Sequence, residues 1–152
     1  MNLLCKNLRI ILISAVLTVI LAGISFAVVI PAGGAIRPDN LRLYLPDQQN
    51  NRLVIVDTSG VNPTKYILLT GAPMGMAVKP DATRLYVSVD KGSNSQILEF
   101  DIGGRDNAQD PASAKGTITL SGLSSPMGMA LTPNGDRLYV ADSTAGVVHI
   151  IN

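Results

Sequence analysis

The chain has 152 residues, of which 47% are apolar and 15% charged, so it can bury a core and is not a solvated tail. Twelve basic residues face eleven acidic ones, and from residue 28 onward the balance is ten to eleven. A near-neutral chain without Trp and with four scattered Tyr offers neither the charge nor the stacking platform of a nucleic-acid binder.

The first 27 residues, "MNLLCKNLRIILISAVLTVILAGISFA", have the three parts of an export signal. Lys6 and Arg9 give a positive start, an apolar run follows, and Ser25-Phe26-Ala27 puts small residues at a cleavage site. Residues 1–27 are thus expected to be a signal peptide in an apolar export helix. The alternative is an uncleaved anchor over residues 10–30, whose 21 residues span about 31 Å as a helix. Cys5 precedes the apolar run, where no lipid attachment is expected, and is read as incidental. The product is expected outside the cytoplasm: periplasmic, secreted or at the cell surface, touching membrane only through this segment.

A repeat begins directly afterwards. Residues 31–45 read "PAGGAIRPDNLRLYL", 73–87 read "PMGMAVKPDATRLYV" and 126–140 read "PMGMALTPNGDRLYV". The shared form is Pro-x-Gly-x-Ala, an aliphatic residue, x-Pro-(Asp/Asn)-x-x-Arg-Leu-Tyr and a final aliphatic residue. Tyr44, Tyr86 and Tyr139 fall 42 and 53 residues apart, the longer interval holding the polar insertion "GGRDNAQDPASAK" at 103–115. A period near 40 built from short apolar segments predicts propeller blades rather than a helical solenoid.

Each unit divides into four short strands. The first is 74–79 or 127–132. A turn follows in which Pro fixes φ, Asp or Asn bonds back to the backbone, and Gly135 can take a positive φ. The second strand is 84–89 or 137–141. The third is 52–57, 96–101 or 147–152, and the fourth is 65–71 or 116–122. β-Branched residues and Leu fill these segments, and no stretch of 28–152 has a 3.6-residue apolar period.

These motifs resemble the YVTN-type β-propeller repeat family, through Pro73, Gly75, Ala77, Pro80, Asp81 and Leu85-Tyr86-Val87. The counterparts are Pro31, Gly33, Ala35, Pro38 and Tyr44 in the first copy, and Pro126, Gly128, Ala130, Pro133 and Tyr139 in the third. The resemblance implies an all-β fold of propeller blades, each of four antiparallel strands. The blades are expected at about 31–72, 73–125 and 126–152. The first copy departs from the pattern at Gly34, where the others have Met76 and Met129.

In such a blade the first strand lies beside the central channel, where backbones converge. That assigns Gly33, Gly75 and Gly128 to close approach, Ala35, Ala77 and Ala130 to crowding, and Met74, Met76, Met127 and Met129 to flexible filling. A methionine metal site is the competing reading, but no Cys or second His accompanies them. Features recurring in every blade are read as architectural: Asp47, Asp90 and Asp142 as turn caps, and Arg42, Arg84 and Arg137 with them. Among non-recurring groups, His149 sits inside a strand, Glu99 suggests an exposed edge or an inter-blade pair, and Arg105, Asp106 and Asp110 lie in the insertion. No catalytic set, metal site or cofactor motif is expected from these residues.

Asn152 aligns with the last residue of a third strand, so slightly under three blades are expected, as in the N-terminal part of a longer protein. Val28-Val29-Ile30 falls where a preceding blade's fourth strand would end. The expected function is non-catalytic binding of a protein, glycan or small ligand. The alternatives are the N-terminal part of a lactonase-like or quinone-dependent enzyme and a cell-surface structural protein. Incomplete propellers leave open blade faces, so the alternatives to a fragment are two or more chains completing a ring by self-association through those faces, or a degenerate product.

Overall fold

A computed structural model of the chain describes residues 33–103 and 114–152, all within one compact unit, Pro31–Asn152. The export segment, Val28-Val29-Ile30, Pro31, Arg105, Asp106 and Asp110 lie outside the described residues.

The described residues form eleven strands in three antiparallel sheets, in chain order. The first blade is β1 (Ala35–Ile36), β2 (Arg42–Asp47), β3 (Arg52–Asp57) and β4 (Lys65–Leu68). The second is β5 (Ala72–Val78), β6 (Arg84–Asp90), β7 (Gln96–Asp101) and β8 (Gly116–Ile118). The third has three strands, β9 (Pro126–Leu131), β10 (Leu138–Asp142) and β11 (Val147–Ile151). Every strand pairs with its sequence neighbour within the sheet, as in propeller blades. The fourth strands are shorter than expected. After Ile118 the chain turns, with Gly122 at φ +80°, and Leu123 drops into the junction between the second and third blades. Apolar burial there outweighs a few more edge hydrogen bonds.

Strand alternation divides each blade into a forward face, toward the next blade, and a backward face. Tyr44, Leu53, Ile55 and Ile67 form the forward face of the first blade. They pack against Leu85, Val87, Val89, Leu98 and Phe100 on the backward face of the second. The second blade presents Ala77 and Ile97 forward, with Tyr86 and Ile118 beside them. These meet Leu138, Val140, Met129, Leu131 and Ile151 of the third. The core is therefore two apolar layers between three sheets.

The turns joining the first and second strands repeat closely. Asn40, Ala82 and Gly135 occupy one position, all left-handed, with φ of 61°, 57° and 74°. Their N–H groups donate to the carbonyls of Arg37, Lys79 and Thr132 at 2.8, 2.9 and 2.8 Å. Asp39 and Asp81 each accept the N–H two residues on, at 3.0 and 2.9 Å, and Asn134 does so at 3.4 Å. Asn and Gly tolerate this conformation; Ala82 holds it against the steric preference of its Cβ.

A β-bulge in β5, between Pro73 and Met76, takes Gly75 out of the ladder. The buried Ser88 hydroxyl accepts the Gly75 N–H at 2.8 Å and donates to the Pro126 carbonyl of the third blade at 3.2 Å. One hydroxyl thus repairs the bulge and ties two blades together.

Candidate functional site

The recurring acids sit at strand ends and are occupied there. Asp47 accepts from the Asn50 N–H at 3.2 Å and from Arg52 Nε at 2.6 Å. Asp90 accepts from the Gly92 N–H at 2.8 Å. Asp142, 2% exposed, accepts from the backbone N–H groups of Ser124, Thr144 and Ala145 at 2.8, 3.1 and 3.0 Å. Those bonds, led by Ala145 and Ser124, hold its carboxyl far below the ordinary carboxylate range. Asp57, which pairs with the buried Arg42 at 3.3 Å, is held equally low by Ser59 and Asn62. Arg84 bridges Glu99 and Asp101 at 2.8 and 3.0 Å. The Glu99 pair therefore lies inside one blade, on adjacent strands, and not at an edge or between blades. Arg137 is exposed, and Asn152 stands where the other blades have Asp57 and Asp101.

Ser124, Asp142 and His149 come together without forming a nucleophilic set. Ser124 Oγ donates to Asp142 at 3.0 Å, and His149 Nε2 lies 3.8 Å from the same carboxylate. In a nucleophilic triad the imidazole stands between hydroxyl and carboxylate. Here the carboxylate stands between the other two. Among the described residues no three His, Cys, Asp or Glu side chains group as metal ligands.

The signature residues take these places. Pro73 and Pro126 are fully buried, while Pro38, Pro80 and Pro133 lie exposed in the turns. Ala77 is buried between blades, Ala35 packs at the edge of the first core layer, and Ala130 is exposed. Tyr44 is 1% exposed, whereas Tyr86 and Tyr139 are half-buried. A Cβ on Gly33 would sit 2.9 Å from the Met74 carbonyl oxygen, and one on Gly75 would overlap the Met127 carbonyl. One on Gly128 would meet nothing within 4 Å.

Among the described residues, a cleft of about 400 Å³ with polar groups on its walls lies between the second and third blades. Lys79, Tyr86, Glu99 and Asp136 line it over an apolar floor that includes Leu138 and Ile151. Burial, then the Glu99 charge, push the Tyr86 hydroxyl above its ordinary value, so it remains an O–H donor at neutral pH. Lys79 runs past Gly135, where an added Cβ would stand 3.1 Å from the lysine Cε. The cleft thus offers two donors, Lys79 and Tyr86, and two carboxylate acceptors, around a surface suited to C–H groups. Sequence reasoning treated Tyr86 as architecture and passed over Lys79 and Asp136. The available signal was departure from the repeat, since Glu99 stands where the other blades have Ile55 and Ile150.

No family model and no curated protein matches the chain by sequence. Solved structures do match by fold. The hydrazine synthase of Kuenenia stuttgartiensis is similar at a TM-score of 0.63 and 21% identity, over 86% of this chain and 35% of that one. A luciferin-regenerating enzyme gives 0.58 and 20%, over 76% of this chain and 38% of its own. A protein described as a candidate 6-phosphogluconolactonase from Bacteroides uniformis gives 0.61 and 16%, over 79% and 36%. At these identities the likeness carries the propeller-like fold alone, and the chain spans a little over a third of each structure.

Proposed function

We propose that this chain is an exported, YVTN-like propeller protein that binds a ligand without transforming it, and that the ligand is a neutral glycan held between the second and third blades. The observation that carries this reading is the cleft, where paired donors and acceptors surround an apolar floor. A sugar ring presents hydroxyls at its rim and C–H groups on its faces, which such a lining suits. The acids that recur in the blades support a non-catalytic role, because turn and ion-pair contacts already occupy them.

Binding of the full chain to a panel of neutral oligosaccharides, read by thermal shift and titration calorimetry, tests this. Tyr86→Phe and Lys79→Ala are each expected to weaken binding about tenfold, the loss typical of one hydrogen bond (~1.4 kcal/mol). Saturable binding that ignores both substitutions would sink the assignment of the cleft. A second reading, part of a propeller enzyme, draws support from the likeness to the candidate lactonase and the luciferin-regenerating enzyme. Turnover of a lactone by the chain would favour it over simple binding.

A further inference from the structure

Asn134 is followed by glycine, and none of the other asparagines in the chain is. The pair occupies the turn between β9 and β10, where Gly135 is left-handed at φ +74° and its N–H donates to the Thr132 carbonyl at 2.8 Å. The Asn134 side chain is exposed. Its Nδ2 donates to Asp136 Oδ2 at 2.6 Å, and its Oδ1 accepts the Asp136 N–H at 3.4 Å. Exposure here does not depend on what lies beyond the third blade. The matching turn of the second blade has the third blade packed beside it, and Asp81 is exposed there as well.

The repeat supplies a second observation. Asp39 and Asp81 stand where Asn134 does, and each accepts the N–H two residues on, at 3.0 and 2.9 Å. Aspartate is thus the ordinary occupant of this turn, and the third blade carries its amide.

We propose that Asn134 is a site of spontaneous deamidation, and that the folded turn takes the product as aspartate rather than isoaspartate. The Gly135 nitrogen gives its proton to hydroxide and attacks Asn134 Cγ. A bond forms between those two atoms, the Cγ–Nδ2 bond breaks, and the nitrogen leaves as ammonia with a proton from water. The cyclic imide then takes up one water. Opening at Cγ gives aspartate, and opening at the backbone carbonyl carbon gives isoaspartate. The sum is amide plus water to carboxylate plus ammonium, with no change of oxidation state.

Glycine favours the closure because no Cβ crowds the ring. The Asp136 N–H faces the oxygen that gathers charge during the attack. The bond from Gly135 to Thr132 must open first, so the reaction is slow in the fold and quickens as pH rises. The same geometry chooses the product. Isoaspartate adds a methylene to the backbone between residues 134 and 135 and carries the Gly135 N–H away from Thr132. Aspartate leaves the backbone unchanged and supplies the acceptor seen at Asp39 and Asp81. Its carboxylate stands beside that of Asp136 and lowers the formal net charge of +1 by one. The proposal is independent of any ligand in the cleft.

The test is incubation of the folded full chain in mildly alkaline buffer, followed by peptide mapping with mass spectrometry and by isoelectric focusing. Residue 134 is expected to convert about tenfold faster than Asn40, Asn50, Asn51 or Asn94. A protease that cuts before aspartate and not before isoaspartate is expected to cut most of the product. In denaturant, where the turn is lost, isoaspartate is expected to lead. Gly135→Ala is expected to slow conversion about tenfold. Ala82 already holds the same left-handed position, and the added Cβ meets the flexible end of Lys79 at 3.1 Å and Pro80 Cδ at 3.2 Å. A thermal melt checks that this variant folds.

A folded chain that keeps its Asn134 amide as long as its other asparagines overturns the proposal. Accumulation of mainly isoaspartate in the fold overturns it too, since the turn then selects nothing. An unchanged rate in folded Gly135→Ala equally overturns it, because the glycine then plays no part.

Discussion

At the scale of single residues, Ser88 shows how one side chain serves a local irregularity and a long-range junction together. Its hydroxyl satisfies the Gly75 N–H that the bulge releases and reaches Pro126 on the next blade. Ser88→Ala leaves a buried donor and a buried acceptor without that partner. A loss of about 1–3 kcal/mol is expected, read as a lowered midpoint in chemical denaturation. A shift below about 0.5 kcal/mol would mean that the bulge closes without the hydroxyl. The repeat did not disclose this role, because the same position is Pro46 in the first blade and Ala141 in the third. The third blade carries a bulge at the matching place beside Ala141, so the hydroxyl's tie is particular to the second blade and leaves no periodic trace. Gly33 and Gly75 were legible for the opposite reason, since a requirement imposed at each described junction is written into the repeat, whereas Gly128 has the signature without a neighbour within 4 Å.

At the scale of elements, strands and turns followed from spacing. Alternation and turn chemistry are local, and they placed β3, β6, β7, β10 and β11 within a residue or two. The ends of the fourth strands were not legible, because Leu123 leaves the sheet for a contact made by another blade. The cleft lay hidden likewise, since Lys79, Glu99 and Asp136 meet only through the stacking of two units. The turn caps carry a pH dependence. Asp57 and Asp142 have folded-state carboxyls held below the ordinary value of 3.8. Lowered acidic groups stabilise the fold fully above that value, and the contribution fades as pH falls below it. Thermal midpoints are expected to be flat from about pH 5 to 8 and to fall progressively below about pH 4. In Asp142→Asn the midpoint is expected to be lower near neutrality and the acid slope shallower. An acid slope unchanged by that substitution would assign the effect to other carboxyls.

At the scale of the whole molecule, each blade touches only its neighbours, as in repeat arrays. Among the described residues the second blade has apolar partners on both faces, and the first and third on one face each. Amide exchange is therefore expected to be slowest in β6 and β7 and at least tenfold faster in β10 and β11. Uniform protection across the three sheets would show that the blades open as one unit.

The third blade also sets a direction in time. Among the described residues its junction with the second blade buries the smaller apolar set, so it costs less to detach than the first. Losing it first strips the cleft of Asp136, Leu138 and Ile151 while the two earlier blades keep their shared layer. Opening then starts at the junction of the second and third blades, so any ligand seated in that cleft would act as a latch on the first step of unfolding.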